Sequence, residues 1–393
     1  MKIVFLNDLH PQSIPGAASI AYSLAEEASK KYQVEFWCTE ITGVSLPHNP
    51  QIKVRVRRVS RTRAQKMEGG LLQRFYFELV GIRELLWVIT GIVRFRPTHI
   101  WLHQIGNRFP KSIIPTSRIL GVFTLATLHD FGMLLGRKLY PKDLGWSIES
   151  VDSHIHHVRF EDQRIVQGYK PRDTLLRIRR EFVKLLLNCS SSTVCISELQ
   201  DKILKSSGLK KSIVIPNGVE KCKCAVKPRL VKGRFDVLFA GRPNAKGLEL
   251  LAQAVSEKPD SHLHLAGPYR LGEIAAIYLD SNQYTYHGNL SRLQIYELIH
   301  QVDLVSVISQ CFDVYPTITL EALAHGTPVL TTPLTGNFDL VKSLSHELVL
   351  QVSQKPELNA IASAIKHNRM HFPEISTVSD SWDLYEKILI QTS

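Results

Sequence analysis

Short runs of aliphatic and β-branched residues recur along this chain, separated by longer stretches in which apolar positions return at helical spacing. In the first half the short runs are IVFLN from Ile3, VEFWC from Val34, KVRVRRV from Lys53, HIWLH from His99, FTLATLH from Phe123 and STVCIS from Ser192. In the second half they are SIVIP from Ser212, DVLFAG from Asp236, HLHLAG from His262, YTYHG from Tyr284, DLVSVIS from Asp303 and PVLTT from Pro328. Helical spacing fills most of the gaps, for example over 17–31, 71–93, 247–255 and 291–301. Near-continuous apolar strands alternating with helices predict parallel sheets covered on both faces. Two such series predict an α/β protein built from two doubly wound, Rossmann-like domains facing each other across a cleft. A chain of 393 residues is long enough for two cores.

The join is expected at IPNGVE, Ile215 to Glu220, where Pro and Asn-Gly interrupt both rhythms. This gives an N-terminal domain over 1–213, a C-terminal domain over 214–375 and a closing helix over 376–393. Residues 132–180, rich in His, Arg and Asp, break the alternation and are expected to be an insertion near the cleft.

Charge divides the chain unevenly. Residues 1–212 carry 32 basic and 18 acidic side chains, whereas residues 213–393 carry 16 and 18, so the first half holds the whole of the +12 excess. The excess peaks in KVRVRRVSRTRAQK, Lys53 to Lys66. One-sided charge predicts an anionic partner for that half: lipid, nucleic acid or an anionic substrate. The basic stretch has few interleaved aromatics, so base stacking on nucleic acid is not indicated. GLLQRFYFELVGIRELLWVITGIVRF, Gly70 to Phe95, reads as a helix that covers the sheet, with an interfacial membrane helix as the alternative. No run is long and apolar enough to span a bilayer. The opening MKIVFLNDLHPQ has no signal-peptide pattern. Six cysteines are scattered without C-x-x-C pairs, which predicts free thiols in a reducing compartment and no zinc.

Ligands of open parallel sheets bind beyond the carboxyl ends of the strands, so the loops there carry the chemistry. In FAGRPNAKGLELL, Phe239 to Leu251, Gly241 allows close backbone approach. Arg242 and Lys246 set two cations at a strand-to-helix turn, where a helix N-terminus also favours anions. In DVYPTITLEALAHGTPV, Asp313 to Val329, Pro316 opens a helix and Gly326 ends it. The first N–H groups, of Thr317 and Ile318, lack intrahelical partners and can face a second anion. Asp313 precedes that turn and Glu321 follows it. Carboxylates repel phosphate but accept hydrogen bonds from hydroxyls. A ligand with hydroxyls at both ends and a diphosphate between them fits, which is a nucleotide-sugar. The alternative for this segment is a pair of exposed acids on a surface helix. Gly16 in the turn before 17–31, and His129 just past FTLATL, are weaker candidates from the first half.

Taken in order, IPNGVE, FAGRPNAKG, LHLAGPY, YHGNLSRLQIYELIHQVDLVSVIS and DVYPTITLEALAHGTPVLTT resemble the retaining glycosyltransferases of the GT-B fold, specifically family four. The resemblance implies that Arg242 and Lys246 bind the donor diphosphate and stabilise it as it leaves. It implies that Asp313 and Glu321 are the two acids of a Glu-x7-Glu motif, Asp313 on the sugar hydroxyls and Glu321 on the ribose. Thr317 and Ile318 would offer their N–H groups to the phosphates, and His129 would touch the donor sugar. Gly16 would lie in the N-terminal glycine loop, with the base near Gly267 and Asn289. No metal or other cofactor is expected for this transfer. The expected setting is the cytoplasm, and the basic first half fits a glycan or lipid-linked acceptor at the inner face of the membrane. Three departures stand out: Asp in place of the first Glu, an Arg-to-Lys interval one residue short, and Gly16-Ala17 in place of a glycine pair. Two further readings stay open: a GT-B epimerase or phosphorylase acting on sugar phosphates, and a non-enzymatic anion binder using the basic half.

Overall fold

The computed structural model describes residues 1–9, 16–41, 49–59, 76, 78–105, 108–135, 139, 171–220, 233–243, 245–268, 270–367 and 370–391. The chain forms two compact units. One comprises Met1–Lys138, Phe160–Asn217 and Val378–Ser393; the other comprises Leu139–Arg159 and Gly218–Thr377.

The first unit is built on β1 (Lys2–Asn7), β2 (Gln33–Ile41), β3 (Ile52–Val59), β4 (His99–His103), β5 (Phe123–Leu128), β6 (Ser192–Cys195) and β7 (Ser212–Val214). They pair in the order β3-β2-β1-β4-β5-β6-β7, every pair parallel. Its helices are α1 (Ala17–Ser29), α2 (Ile82–Phe95), α3 (Ile113–Ile119), α4 (Gly132–Leu135), α5 (Pro171–Asn188) and α6 (Glu198–Ser206). β4 is buried at all five positions, as a strand covered on both faces must be.

The second unit holds β8 (Phe235–Ala240), β9 (Ser261–Ala266), β10 (Tyr284–Gly288), β11 (Leu304–Val307) and β12 (Val329–Thr331) in the order β10-β9-β8-β11-β12, again all parallel. Its helices are α7 (Leu248–Ser256), α8 (Arg270–Ala275), α9 (Arg292–Gln301), α10 (Thr317–Ala324), α11 (Phe338–Lys342) and α12 (Leu358–His367). Both sheets are therefore doubly wound. The order reverses beside β1 in the first and beside β8 in the second.

Three sequence expectations change. SIVIP is not the first strand of the second series. Its residues pair with β6 (Thr193 opposite Ser212), and the Ile215 N–H donates to the Cys195 carbonyl at 2.9 Å, so it forms the edge of the first sheet. The helix expected over 71–93 does not run through Gly81, which takes a left-handed conformation as the N-cap of α2. Of residues 70–80, the described ones are 76 and 78–80. The break in rhythm expected over 132–180 is shorter than it reads, because α5 is the crossover helix that joins β5 to β6. Residues 136–138 and 140–170 lie outside the described ones.

The closing segment is α13 (Val378–Gln391), and it belongs to the first unit. Val378, Trp382, Tyr385 and Leu389 form one buried stripe at helical spacing within the first core. The Tyr385 and Trp101 rings lie 3.9 Å apart, and the Ser381 hydroxyl donates to the Pro216 carbonyl at 2.9 Å. Glu386 accepts from Lys31 at 2.9 Å and from Tyr32 at 2.7 Å.

α2 buries Val88, Ile92 and Phe95, while Ile82, Leu86 and Val93 stay exposed. No helix among the described residues is long and apolar enough to cross a membrane. Cys38, Cys189, Cys195 and Cys311 are free thiols.

Candidate functional site

In the second unit the topology does what no local pattern could. β8 and β11 are neighbours at the point where the strand order reverses, so the loops leaving their carboxyl ends must flank one crevice. The first loop carries Gly241, Arg242 and Lys246; the second carries Asp313. Lys246 and Asp313, 67 residues apart, form an ion pair in which Asp313 also accepts from the Ser309 hydroxyl at 3.3 Å. The loops are stitched together by the Gln310 N–H, which donates to the Ala245 carbonyl at 2.8 Å.

Gly247 is what lets them meet. Its φ is +70°, and a Cβ there would stand 2.6 Å from the Ile308 carbonyl oxygen at the end of β11. Gly247→Ala should therefore part the two loops and lower unfolding stability by roughly 2–4 kcal/mol, a left-handed strain plus a backbone clash. Denaturant unfolding measures this, and a change near zero would show that the loops meet for some other reason.

Asp313 is fixed by its backbone as well as by its carboxylate. Its N–H donates to the Leu334 carbonyl at 2.9 Å, and its carbonyl accepts from Gly336 at 2.8 Å. Helix α10 begins four residues later. Pro316 is its N-cap rather than its first helical residue, and the Pro316 carbonyl accepts from the Asn337 side chain at 3.0 Å. The N–H groups of Thr317 and Ile318 fall in the first turn, where helix geometry supplies no acceptor. The helix ends in a left-handed Gly326, with the Gly326 and Thr327 N–H groups returning to the Leu323 and Ala322 carbonyls.

The two acids are not the exposed surface pair offered as the alternative. Glu321 is 9% exposed, and its carboxylate lies 3.5 Å from Arg292 at the start of α9. Burial raises the Glu321 pKa above the ordinary carboxylate value, and the nearby Arg292 guanidinium offsets part of that rise. Arg292 also reaches Glu220 at 3.8 Å and lies over the Tyr296 ring at 5.5 Å. Sequence reading missed Arg292. One signal was available: a cation in a helix's first turn opposes the macrodipole and needs a partner to hold it there. The Ser291–Gln294 capping box fixes that turn.

The carboxyl ends of β8, β9 and β10 interlock through glycines. The Gly241 N–H donates to the Ala266 carbonyl at 2.9 Å and the Gly267 N–H to the Gly288 carbonyl at 2.8 Å. A Cβ on Gly267 would stand 2.3 Å from the Gly241 carbonyl oxygen, so a side chain there would push these strand ends apart. Asn289 follows directly and is exposed, as are Gly241 and Arg242.

Two candidates lie in the first unit. Gly16 is the N-cap of α1. His129 follows β5, and its Nε2 lies 2.9 Å from the Nδ1 of His103, a buried residue at the end of β4. Burial brings the His129 pKa down to about 4, so the ring is neutral at physiological pH. His103 is a partner that sequence reading did not single out. Among the described residues no three His, Cys, Asp or Glu side chains gather as a metal site.

Residues 225–372 match the family described as Glycosyl transferases group 1. Two curated Escherichia coli proteins, the O-antigen biosynthesis glycosyltransferase WbnH and the probable O-antigen biosynthesis glycosyltransferase WbiN, are each 29% identical over 153 residues. That match covers 38% of this chain and 43% of each relative, so the chain spans less than half the length of the curated relatives it matches. Among solved structures, sucrose-phosphate synthase from Thermosynechococcus elongatus superposes with a TM-score of 0.68 at 16% identity, covering 100% of this chain and 97% of the other. Anabaena Alr3699/HepE in complex with UDP and glucose gives 0.60 at 15% identity, covering 99% and 95%. The apo lipopolysaccharide outer core galactosyltransferase WaaB gives 0.62 at 12% identity, covering both chains fully. At these identities the likenesses show the fold, and it is the GT-B fold that the sequence resemblance implied.

Proposed function

We propose that this chain, whose residues 225–372 match the glycosyl transferases group 1 and which carries a GT-B fold, is a retaining glycosyltransferase. It moves a sugar from a nucleoside-diphosphate sugar to a glycan or lipid-linked acceptor in cell-surface polysaccharide synthesis. The observation that carries this reading is the convergence of Lys246 and Asp313 beside the first turn of α10, with Glu321 buried farther along the same helix. The relatives named for O-antigen biosynthesis support the polysaccharide setting, and the Alr3699/HepE complex with UDP-glucose supports the donor class.

The bond broken joins the anomeric carbon to a diphosphate oxygen, and its electron pair goes to that oxygen. The main task is to stabilise the charge that develops there. Lys246 and Arg242 do so as cations, and the Thr317 and Ile318 N–H groups do so at the positive end of a helix. These groups supply the charge without a metal. Lys246 turns from Asp313 toward the diphosphate as it arrives, which frees Asp313 to accept from sugar hydroxyls. Glu321 accepts from the ribose hydroxyls. The strand ends around Gly241, Gly267 and Asn289 take the base. The acceptor attacks on the face the diphosphate leaves, and its proton passes to the leaving diphosphate oxygen, so configuration is retained. The basic excess of residues 1–212 suits an anionic or lipid-linked acceptor, with the work done in the cytoplasm at the inner face of the membrane.

Calorimetry with UDP, GDP and ADP, followed by mass spectrometry of products from a donor-by-acceptor panel, tests the reading. One of the three nucleotides should bind; if none binds the intact protein, the reading fails. Arg242 is exposed, so Arg242→Ala should leave the melting temperature within a degree or two while lowering kcat about 10²–10³-fold. Unchanged turnover in that variant would remove Arg242 from the mechanism.

A further inference from the structure

The first unit holds a polar cavity far from the strand ends that carry Gly16 and His129. Its volume is about 670 Å³, and it opens at the amino-terminal ends of β1, β2 and β3, against the last turns of α2. A strand of this length separates that edge from the carboxyl edge by roughly 15–20 Å. Lys2, Lys53, Arg55 and Arg94 line it, with Glu35 as the one carboxylate among its lining residues.

Glu35 is already shared. It lies 3.3 Å from Lys53 and accepts from the Trp37 indole at 2.7 Å. Lys2 donates to the Phe95 carbonyl at 3.2 Å, which leaves its charge without a carboxylate there. Arg55 is held between aromatic rings, its guanidinium carbon 4.1 Å from the Trp87 centroid and 5.0 Å from that of Trp37. One of its nitrogens, Nη1, is buried without a hydrogen-bond partner. The helix makes way for it: a Cβ on Gly91 would stand 1.8 Å from that nitrogen. A mid-helix glycine is unfavourable by about 1 kcal/mol relative to alanine, so its presence here accommodates the guanidinium. Arg94 adds a like charge from α2 on the same cavity. Four cations face one engaged carboxylate; Lys53 and Arg94 are exposed, while Arg55 is half-buried, and burial of its guanidinium disfavours its charge unless an anion meets it.

We propose that this cavity is an anion site for a phosphate group, distinct from the donor site and independent of the reading given above. A tetrahedral phosphate can accept from donors that converge from a strand start, a neighbouring strand and a helix end, which one carboxylate cannot do. The phosphate could come from a soluble compound or from a lipid headgroup. The second source is tested because α2 also exposes Val93 and Leu86 beside Arg94.

The Trp37 and Trp87 indole N–H signals, assigned by Trp→Phe variants and followed by NMR in the full chain, report on this cavity and not on the donor site. Inorganic phosphate should shift both signals saturably, and chloride at matched ionic strength should not. Arg94→Glu should weaken that binding at least about tenfold, and Arg94→Gln, which adds no negative charge, by less. Binding to phosphatidylcholine vesicles containing phosphatidic acid, absent with pure phosphatidylcholine and lost in Arg94→Glu, identifies the lipid headgroup as the source. Phosphate-induced shifts without vesicle binding identify a soluble phosphate compound. The proposal is overturned if phosphate moves neither signal saturably, if chloride moves them equally, or if folded Arg94→Glu and Arg94→Gln keep the wild-type affinity.

Discussion

Lys246→Ala is expected to lower kcat/KM for sugar transfer about 10³–10⁴-fold, more than Arg242→Ala does. The lysine would have two tasks under the proposed mechanism: to stabilise the leaving diphosphate, and to neutralise Asp313, with which it is paired. Removing it leaves a carboxylate facing the incoming diphosphate, so repulsion adds to lost attraction. The pair is part-exposed, so its loss should change unfolding stability by less than about 1 kcal/mol. A double-mutant cycle separates the two tasks. Lys246→Ala/Asp313→Ala should recover part of the nucleotide affinity that Lys246→Ala loses, as measured by calorimetry. If the double variant binds more weakly than the single one, Asp313 does not repel the donor, and the charge argument for this pair is wrong.

Glu321→Gln is expected to raise the donor KM about 10–100-fold while changing kcat little. A charge-assisted hydrogen bond to a ribose hydroxyl is lost in both the ground and the transition state. The pH dependence is the sharper test. Burial raises the Glu321 pKa, so the folded protein holds this proton to a higher pH than the unfolded chain does. The stability that comes from the protonated form is complete below the unfolded carboxylate pKa and is lost as pH rises through the raised folded value. Donor affinity moves the other way, because only the carboxylate accepts two hydroxyl hydrogen bonds. Nucleotide affinity should therefore rise with pH across that window in the wild type and stay flat in Glu321→Gln. Parallel pH profiles in the two proteins would place the ribose elsewhere. Arg292 loses part of its partner in this variant, but it is one-third exposed, so the stability cost should stay within about 1 kcal/mol.

Much of this could be read without coordinates. The strand runs, the loop residues and the helix ends of α10 follow from local chemistry: apolar alternation, Pro at an entry, Gly at an exit. The expectation that Arg242, Lys246, Asp313 and Glu321 serve one site came from the order of motifs and the resemblance, not from any spacing rule. The sequence pattern misled where a segment's partner lies far along the chain. SIVIP reads like the first strand of a new series, yet β6 captures it. The sequence separates the closing helix from both domains, yet its stripe of Val378, Trp382, Tyr385 and Leu389 packs into the first core.

The amino-acid sequence alone determined the two-series α/β plan, the one-sided charge and the identity of the acids and cations at strand ends, because each is a property of neighbours in the chain. Only the tertiary structure decided that Lys246 meets Asp313, that Glu321 is buried against Arg292, that His129 rests on His103, and that four cations share the cavity beneath α2. The first depends on β8 and β11 lying side by side where the sheet order reverses and on how closely Gly247 lets two loops approach; the others depend on which strands and helices pack as neighbours. Contacts of that kind join residues distant in the chain, and no local period records them.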